Sequence, residues 1–432
     1  MSDERKTNLA KLNDGLENIV SGMGPSIDPT THNYWRSNNK NLDHTQLSVR
    51  FREDWIAQKI CKTIPEDMTR EWRAIDSDAG QLADKEFGIS CLFREAQTWA
   101  RLYGTSAILL DIKGDVDVSK PLNIEGLSTG CINSLHVIDR TRLFPTGTIE
   151  LDPLDPEYGL PTHYQLGGST VRIHKSRLIR FEGTELPRYL MWKNSWYSDS
   201  TLIPLIESID NFYTAAKAAA SLTTEANVDI VSVEGLEGFL SNPAGEALMM
   251  KRMRLMKRGK SIHNMVLLDN KEVYDQKTIN LNGVKDLIWE YLKVVAASVG
   301  IPATRFLSTS PDGMNATGES DLNNYIDLIK GQQQSKFDPR LKIIDRLLQK
   351  HFGIEPWKYK WNSAFPQSPL EVEKVRSELS STLAVLVEKG ILSSQSALDI
   401  LTKEDTFKGV ELKKGQPQGM TNENEKQEDK TS

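Results

Sequence analysis

Seven histidines, three cysteines and one dense run of cations are the side chains of this 432-residue chain with the widest chemical reach. The histidines (His32, His44, His136, His163, His174, His263, His351) are scattered, and none forms HExxH or a comparable ligand pair. Their spacing therefore gives no support to a metal site. His174-Lys175-Ser176 matches half of a two-histidine phosphoesterase, in which two HxS/T motifs face each other across a cleft. It lies between short β-type runs, so a surface hydroxyl in a turn is the competing reading. Gly259-Lys260-Ser261 ends like a phosphate-binding loop, but GxxxxGK[ST] needs glycine where Arg254 stands, and its flank is helical. There is no GxSxG elbow and no GxGxxG after a strand. Cys61, Cys91 and Cys131 include no CxxC, which excludes a disulfide scaffold or cysteine-rich zinc site and suits a reducing compartment. No catalytic residue, metal or cofactor is expected. The alternative is a phosphodiester-processing enzyme built on His174 and a partner histidine.

The cations concentrate between Lys251 and Lys260, where Lys251, Arg252, Arg254, Lys257, Arg258 and Lys260 fill six of ten positions. Such a helix face docks an acidic partner or touches a nucleic-acid backbone. Equally, it is a solvated face with Met249, Met250, Met253 and Met256 packed beneath it, or with those methionines serving as an adaptable contact stripe.

Overall the chain is mildly acidic: 53 Lys and Arg against 59 Asp and Glu leave a net charge of −6. A protein that wraps nucleic acid by neutralising phosphates is normally basic, so bulk DNA gripping is excluded. Hydrophobic residues make up 38%, enough for a core but with a large surface for the mass. No apolar run approaches the ~18–20 residues of a membrane helix. The N-terminal stretch lacks the apolar region of a secretory signal.

The elements around these residues follow from periodicity. Residues 1–45 read as a weakly folded arm with one helix near Leu9–Ile19. From Ser48 to Tyr103 the spacing is helical, with Pro65 as an interruption. Short β-type runs then alternate with Gly/Pro turns: 106–112, 134–139, 148–151, 162–166, 170–175 and 177–183. This predicts an antiparallel module, hence an α+β fold. Residues 198–227 predict a long amphipathic helix, its second half rich in alanine. Strands at 228–235 and 265–270 flank a helix over 244–258, and a further helix over 284–299 stops at Gly300-Ile301-Pro302. A Gly/Pro/Ser/Thr loop over 300–318 precedes a helix over 319–351 that Pro339 must kink or divide. A strand-like 357–361, a helix pair (369–389 and 393–403) and a polar tail complete the chain.

Three stretches in this order resemble the portal proteins of tailed bacteriophages. Asp54–Ile60 leading into Ile64–Trp72 is similar to the family's early helix and its turn into the wing. Arg172–Phe181 is similar to the hairpin closing that wing. Gly300-Ile301-Pro302-Ala303-Thr304-Arg305-Phe306-Leu307, with Gly313–Asp321 after it, resembles the loop facing the DNA tunnel.

The resemblance implies an arm (1–45), a wing (46–197), a stem helix (198–227), a clip (228–283) and a second stem helix (284–299). It continues with a tunnel loop (300–318), a kinked wing helix and strand (319–368), a helical crown (369–411) and a disordered tail (412–432). It further implies a virion protein, assembled in the host cytoplasm without a membrane. Twelve copies would form a ring at one capsid vertex that conducts double-stranded DNA during packaging and ejection. The ring would dock the terminase large subunit, the major capsid or scaffold protein and a head-completion adaptor. A non-ring assembly adaptor is the alternative. Carried over, Pro302, Thr304, Arg305, Ser308, Thr309 and Asn315 would line the channel, and the six cations at 251–260 would dock partners. Leu205, Ile209, Phe212, Ala216, Leu287, Tyr291 and Val295 would pack between subunits. Twelve copies at −6 sum to about −72, a field that favours transit over binding. Arg305 is then either a transient phosphate contact or an ion pair with Asp312 or Glu319.

Overall fold

The computed structural model describes residues 43–403 apart from 115–116, 156–157, 225–226, 233–242, 264–272, 279–282, 310–318 and 366–368. The expected helix at 9–19, the strand at 265–270, Asn315 and the tail at 412–432 lie outside the described residues. So do the side chains of Lys257 and Lys260. The fold is mixed α+β and mostly helical. Residues up to Trp361 form one compact unit, and those from Asn362 a second.

The first unit opens with helix α1 (His44–Glu53) and helix α2 (Trp55–Arg70). Asp54 starts α2 by accepting from the amides of Ile56 (2.8 Å) and Ala57 (3.3 Å), which satisfies two donors that a helix start leaves open. Ile56, Ile60, Ile64 and Met68 are fully buried along one side of α2. Pro65, expected to interrupt, sits inside this helix instead. The continuous buried stripe offsets the roughly 3 kcal/mol that an interior proline costs.

Strand β1 (Ala74–Ile75) and helix α3 (Asp78–Glu86) lead to helix α4 (Ile89–Tyr103). Helix α4 ends at Gly104, at φ 93°. A Cβ there would stand 2.1 Å from the Ser198 carbonyl oxygen, so only glycine lets the chain turn into the sheet. Strand β2 (Thr105–Ile112) is the centre of an antiparallel sheet between β3 (Ile132–Asp139) and β7 (Leu178–Glu182). A second antiparallel sheet holds β4 (Leu143–Ile149), β5 (Pro161–Leu166) and β6 (Arg172–His174) in that order. Ala107, Leu143, Tyr164, Ile173 and Leu178 draw both sheets into one core. The antiparallel pairing is what the sequence pattern predicts; strand β4 begins five residues before the expected 148 because Leu143 is a core residue.

After helix α5 (Arg188–Lys193), the expected helix over 198–227 divides. Thr184 and Asp199 form a β-bridge, Ile203–Leu205 makes one 3-10 turn at Pro204, and helix α6 spans only Ile206–Thr224. The backbone at 198–201 is already committed to Thr184 and Arg101, so it cannot enter the helix. Strand β8 (Asn227–Ser232), helix α7 (Pro243–His263) and strand β9 (Val273–Thr278) follow, with β8 and β9 paired antiparallel from Asn227↔Thr278 to Ser232↔Val273. Helix α8 (Val284–Ser298) packs against α6.

Helix α9 (Ala303–Leu307) and helix α10 (Glu319–Gln332) are next. The kink expected at Pro339 is a π turn over Gln333–Phe337, immediately ahead of helix α11 (Asp338–Phe352). Pro339 falls in the first turn of α11, where its missing N–H is tolerated. The wide turn drives Phe337 into an aromatic centre, with Phe93 at 5.2 Å and Trp72 at 6.2 Å. Nearby, the buried Arg73 donates to Asp345 (2.6 and 2.7 Å) and Asp84 (2.5 and 3.2 Å), tying α3 to α11. Strand β10 (Tyr359–Lys360) pairs with β1. In the second unit, helix α12 (Pro369–Glu388) and helix α13 (Ser394–Lys403) pack on each other across a turn at Gly390, φ 67°.

Candidate functional site

The site grows from the short stretch where α8 gives way to α9. Gly300 (φ 72°) ends α8 in the left-handed region, and Pro302 precedes α9, its carbonyl accepting from the Phe306 amide at 2.8 Å. Phe306 is fully buried and faces Trp55 of α2 at 6.5 Å between ring centres. Lys59 crosses over both rings and donates to the Phe306 carbonyl at 2.5 Å.

Arg305 then makes a two-pronged contact with Asp67 of α2, at 2.7 and 3.1 Å. The Tyr325 hydroxyl of α10 donates to the same carboxylate at 2.8 Å. The Asp67 hydrogen bond raises the Arg305 pKa, while burial, followed by the Asp67 charge, pushes the Tyr325 phenol up. Asp67 is 1% exposed, whereas about a third of the Arg305 side chain, 34%, stays open. The cation expected to meet phosphate or pair with Asp312 or Glu319 is thus matched by a residue on a distant helix. Pro302 and Thr304 are half-buried beside it, and Ser308 and Thr309 are exposed.

The stem residues divide. Leu205, Ile209, Phe212 and Val295 are buried within the single chain, and Ala216 and Tyr291 are half-buried. Leu287 is 54% exposed, with the exposed Val294 two turns further along α8. That spacing leaves one apolar stripe of α8 outside its own packing against α6.

Lys251, Arg254 and Arg258 are exposed on α7 and Arg252 is half-buried. The methionines expected to pack beneath them do not all do so: Met250 and Met253 are exposed, as are Leu248 and Leu255. Cations and apolar side chains therefore share one open surface.

His163 and His174 pair across β5 and β6, their rings 5.2 Å apart and nearly perpendicular. His163 has Ser119 O at 3.1 Å and Thr162 Oγ1 at 2.9 Å; His174 Nδ1 accepts from the Ser176 amide at 3.2 Å. Burial, then the neighbouring His163, lowers the His174 pKa. His163 brings no HxS/T motif of its own. Among the described residues no group of three His, Cys, Asp or Glu side chains could hold a metal ion, and no helix is long and apolar enough to cross a membrane.

Sequence reading missed Asp67, Tyr325 and Lys59. One signal was available: Asp67 falls three residues after Ile64 on the buried side of α2, a place where a carboxylate needs a partner.

Comparisons with known proteins now bear on this arrangement. The chain is 33% identical to an "Anti-CBASS protein Acb1" of Sphingomonas paeninsulae, over 93% of this chain and 68% of that one. An uncharacterized protein of Haemophilus influenzae is 26% identical over 92% of this chain and 91% of its own length. Among solved structures, a chain in the neck of a native GTA particle, computed with C12 symmetry, superposes with a TM-score of 0.50 at 14% identity. It covers 82% of this chain and 92% of that one, and at such identity the likeness concerns the fold. The family model for phage portal proteins matches residues 45–385, from α1 through the loop anchor formed by Asp67, Arg305, Tyr325, Lys59 and Phe306 and on into α12, and the chain belongs to that family.

Proposed function

We propose that copies of this chain close into a ring of twelve at one vertex of a virion capsid, a head-tail connector conducting double-stranded DNA during packaging and ejection. The observation that carries this reading is the family match over 45–385, which includes every element of the loop anchor. The C12 symmetry of the neck containing the similar chain supports the subunit number. The open Leu287–Val294 stripe of α8 supplies apolar area for a neighbouring copy to cover. The described residues 300–309 face the bore, and Arg305, Phe306 and Lys59 hold them to α2. Helix α7 and the β8–β9 pair form the clip, whose mixed basic and apolar surface suits terminase and, later, a head-completion adaptor. Capsid or scaffold protein meets the outer surface.

Native mass spectrometry tests the ring: the expected species is twelve times the 48.7 kDa protomer. Monomers at all concentrations and salts would reject it. Replacing 309–317 with a Gly-Ser linker, which spares the anchor, is expected to leave rings intact and block packaging.

A second reading draws on the name of the Sphingomonas relative and on the pairing of His163 with His174. Roughly a third of that relative lies outside the match, and we assign its anti-CBASS role to that part. The contacts of His163 with Ser119 and Thr162 leave it no open nitrogen for a phosphodiester. Hydrolysis of a cyclic dinucleotide by this chain, lost in His174→Ala, would reverse the assignment.

A further inference from the structure

An open cleft of about 650 Å³ lies along one side of α1, where that helix meets α2 and α6. Thr45, Val49 and Glu53 line it at the i, i+4 and i+8 spacing that stacks side chains on one helix face. Asp54, Trp55 and Tyr213 complete it beyond the end of α1. Val49 is 47% and Trp55 43% exposed, so the fold leaves apolar area uncovered there.

One lining residue holds an unmet acceptor. Asp54 is 5% exposed, and its two carboxylate oxygens differ. Oδ1 accepts from the amides of Ile56 and Ala57 and, at 2.7 Å, from the Tyr213 hydroxyl. Oδ2 is buried and accepts no hydrogen bond among the described residues; Arg50, which is paired with Asp210, stands 3.8 Å from it. A buried carboxylate oxygen without a donor is costly to keep. Elsewhere the chain answers buried or half-buried carboxylates with an indole N–H. Trp72 donates to Asp84 at 2.7 Å, and Asp338 accepts from the Trp361 indole at 2.8 Å and the Tyr359 hydroxyl at 2.9 Å. Asp54 has the tyrosine half of that second arrangement without its tryptophan.

Residues 1–42, outside the described residues, join α1 at Asp43, beside the end of the cleft that Thr45 lines. From Thr45 to Asp54 the helix rises about 13 Å, which about four extended residues cover. Going back from Asp43, the first aromatic residues met are Trp35 and Tyr34, the only Phe, Tyr or Trp ahead of Phe51. The chain between Trp35 and Asp43 reaches roughly 26 Å when extended, enough to return along α1 with slack. We propose that Trp35 of each copy seats in the cleft of the same copy, its ring against Val49 and Trp55 and its indole N–H donating to Asp54 Oδ2. Residues 34–42 then strap α1 to α6. The tether selects this occupant: a short connection gives Trp35 a high effective concentration at the cleft and closes at small entropic cost, whereas a side chain from another molecule bears the full cost of association. The Leu and Ile side chains of the 9–19 stretch, on a longer tether, carry no donor for Asp54. The seat is a property of one copy and stands apart from the ring reading.

The test uses the full chain with the exposed Cys91 changed to Ser; Cys61 and Cys131 are buried. Val49→Cys is treated with a maleimide in this background and again with Trp35→Ala added. Covered by the indole, the thiol is expected to react at least tenfold more slowly than in the Trp35→Ala variant. Trp35→Phe keeps a ring and loses the N–H, so its rate should fall between the two. Equal rates with Trp35 and with alanine would overturn the seat; equal rates with Trp35 and with phenylalanine would overturn the bond to Asp54. Separately, Arg36→Cys with Glu53→Cys is oxidised and run without reductant. The expected product is a disulfide within one chain, a faster-migrating monomer whose peptide map joins the two positions. A disulfide that joins two copies would hand the cleft to a neighbour's arm and overturn the proposal. Loss of rings in native mass spectrometry would remove the ring reading and leave both of these measurements as they are.

Discussion

Arg305 and Arg254 carry the same guanidinium and belong to the same acidic chain, yet the fold uses them in opposite ways. Arg305 is locked between α2 and α10 by a carboxylate that is 1% exposed, and its charge is spent inside the molecule. Arg254 stands exposed on α7 among other cations and exposed methionines. The proposed conduit would use both kinds. A wall that DNA slides past should hold no strong cation free to trap phosphate, whereas a docking surface should keep its charge available to a partner. The number of basic residues thus says less than where their counter-ions lie.

The sharpest way to break this contrast is Asp67→Ala. It leaves Arg305 partly buried without its partner and removes the acceptor of the Tyr325 hydroxyl, so a loss of about 3 kcal/mol is expected in urea unfolding. A change below 0.5 kcal/mol would mean that the anchor is ornamental. Arg305→Ala should cost a similar amount, about 3 kcal/mol, because it leaves the buried Asp67 carboxylate with Tyr325 but without a counter-charge. The same variant should package DNA from fewer particles if the anchor positions the bore.

Acid offers a smaller effect. The His351 ring accepts the Ile132 amide through Nδ1 at 2.8 Å, which requires the neutral form, and burial, followed by Lys113, lowers its pKa. His174 is lowered in the same direction. The unfolded chain therefore binds more protons than the folded one just below the ordinary histidine value of about 6.5, so stability should fall as pH drops through that value. His351→Gln should flatten that part of the stability–pH curve; an unchanged slope would remove His351 as its source. The smallest effect on stability belongs to α7: Arg254→Glu with Arg258→Glu should stay within about 0.5 kcal/mol of the parent. Its consequence should appear instead as weaker, less salt-sensitive capture of an acidic partner protein.

How much of this was legible beforehand varies with the range over which the chain's forces act. The α2 stripe, the antiparallel runs and the stop of α8 at Gly300 were legible because period, glycine and proline act within a few residues. Pro339 was legible for the same reason, since the helix over 319–351 divides just ahead of it, whereas Pro65 was misjudged because the buried side of α2 overrides its local effect. Helix α6 starts late because Thr184 and Arg101, the latter far away in sequence, claim the backbone before it. At the site, Arg305 was legible as a cation that needed explaining, but its partner was sought among sequence neighbours and stands 238 residues away.

By itself the sequence determined the order of elements, the acidic balance, the isolated cationic run on one helix and the resemblance to portal proteins, since composition and periodicity are properties of the chain before it folds. The tertiary structure alone decided which charges are spent and which stay available. It also decided which apolar side chains are satisfied within one copy and which are left for another. Both depend on burial, and burial exists only once distant segments have met.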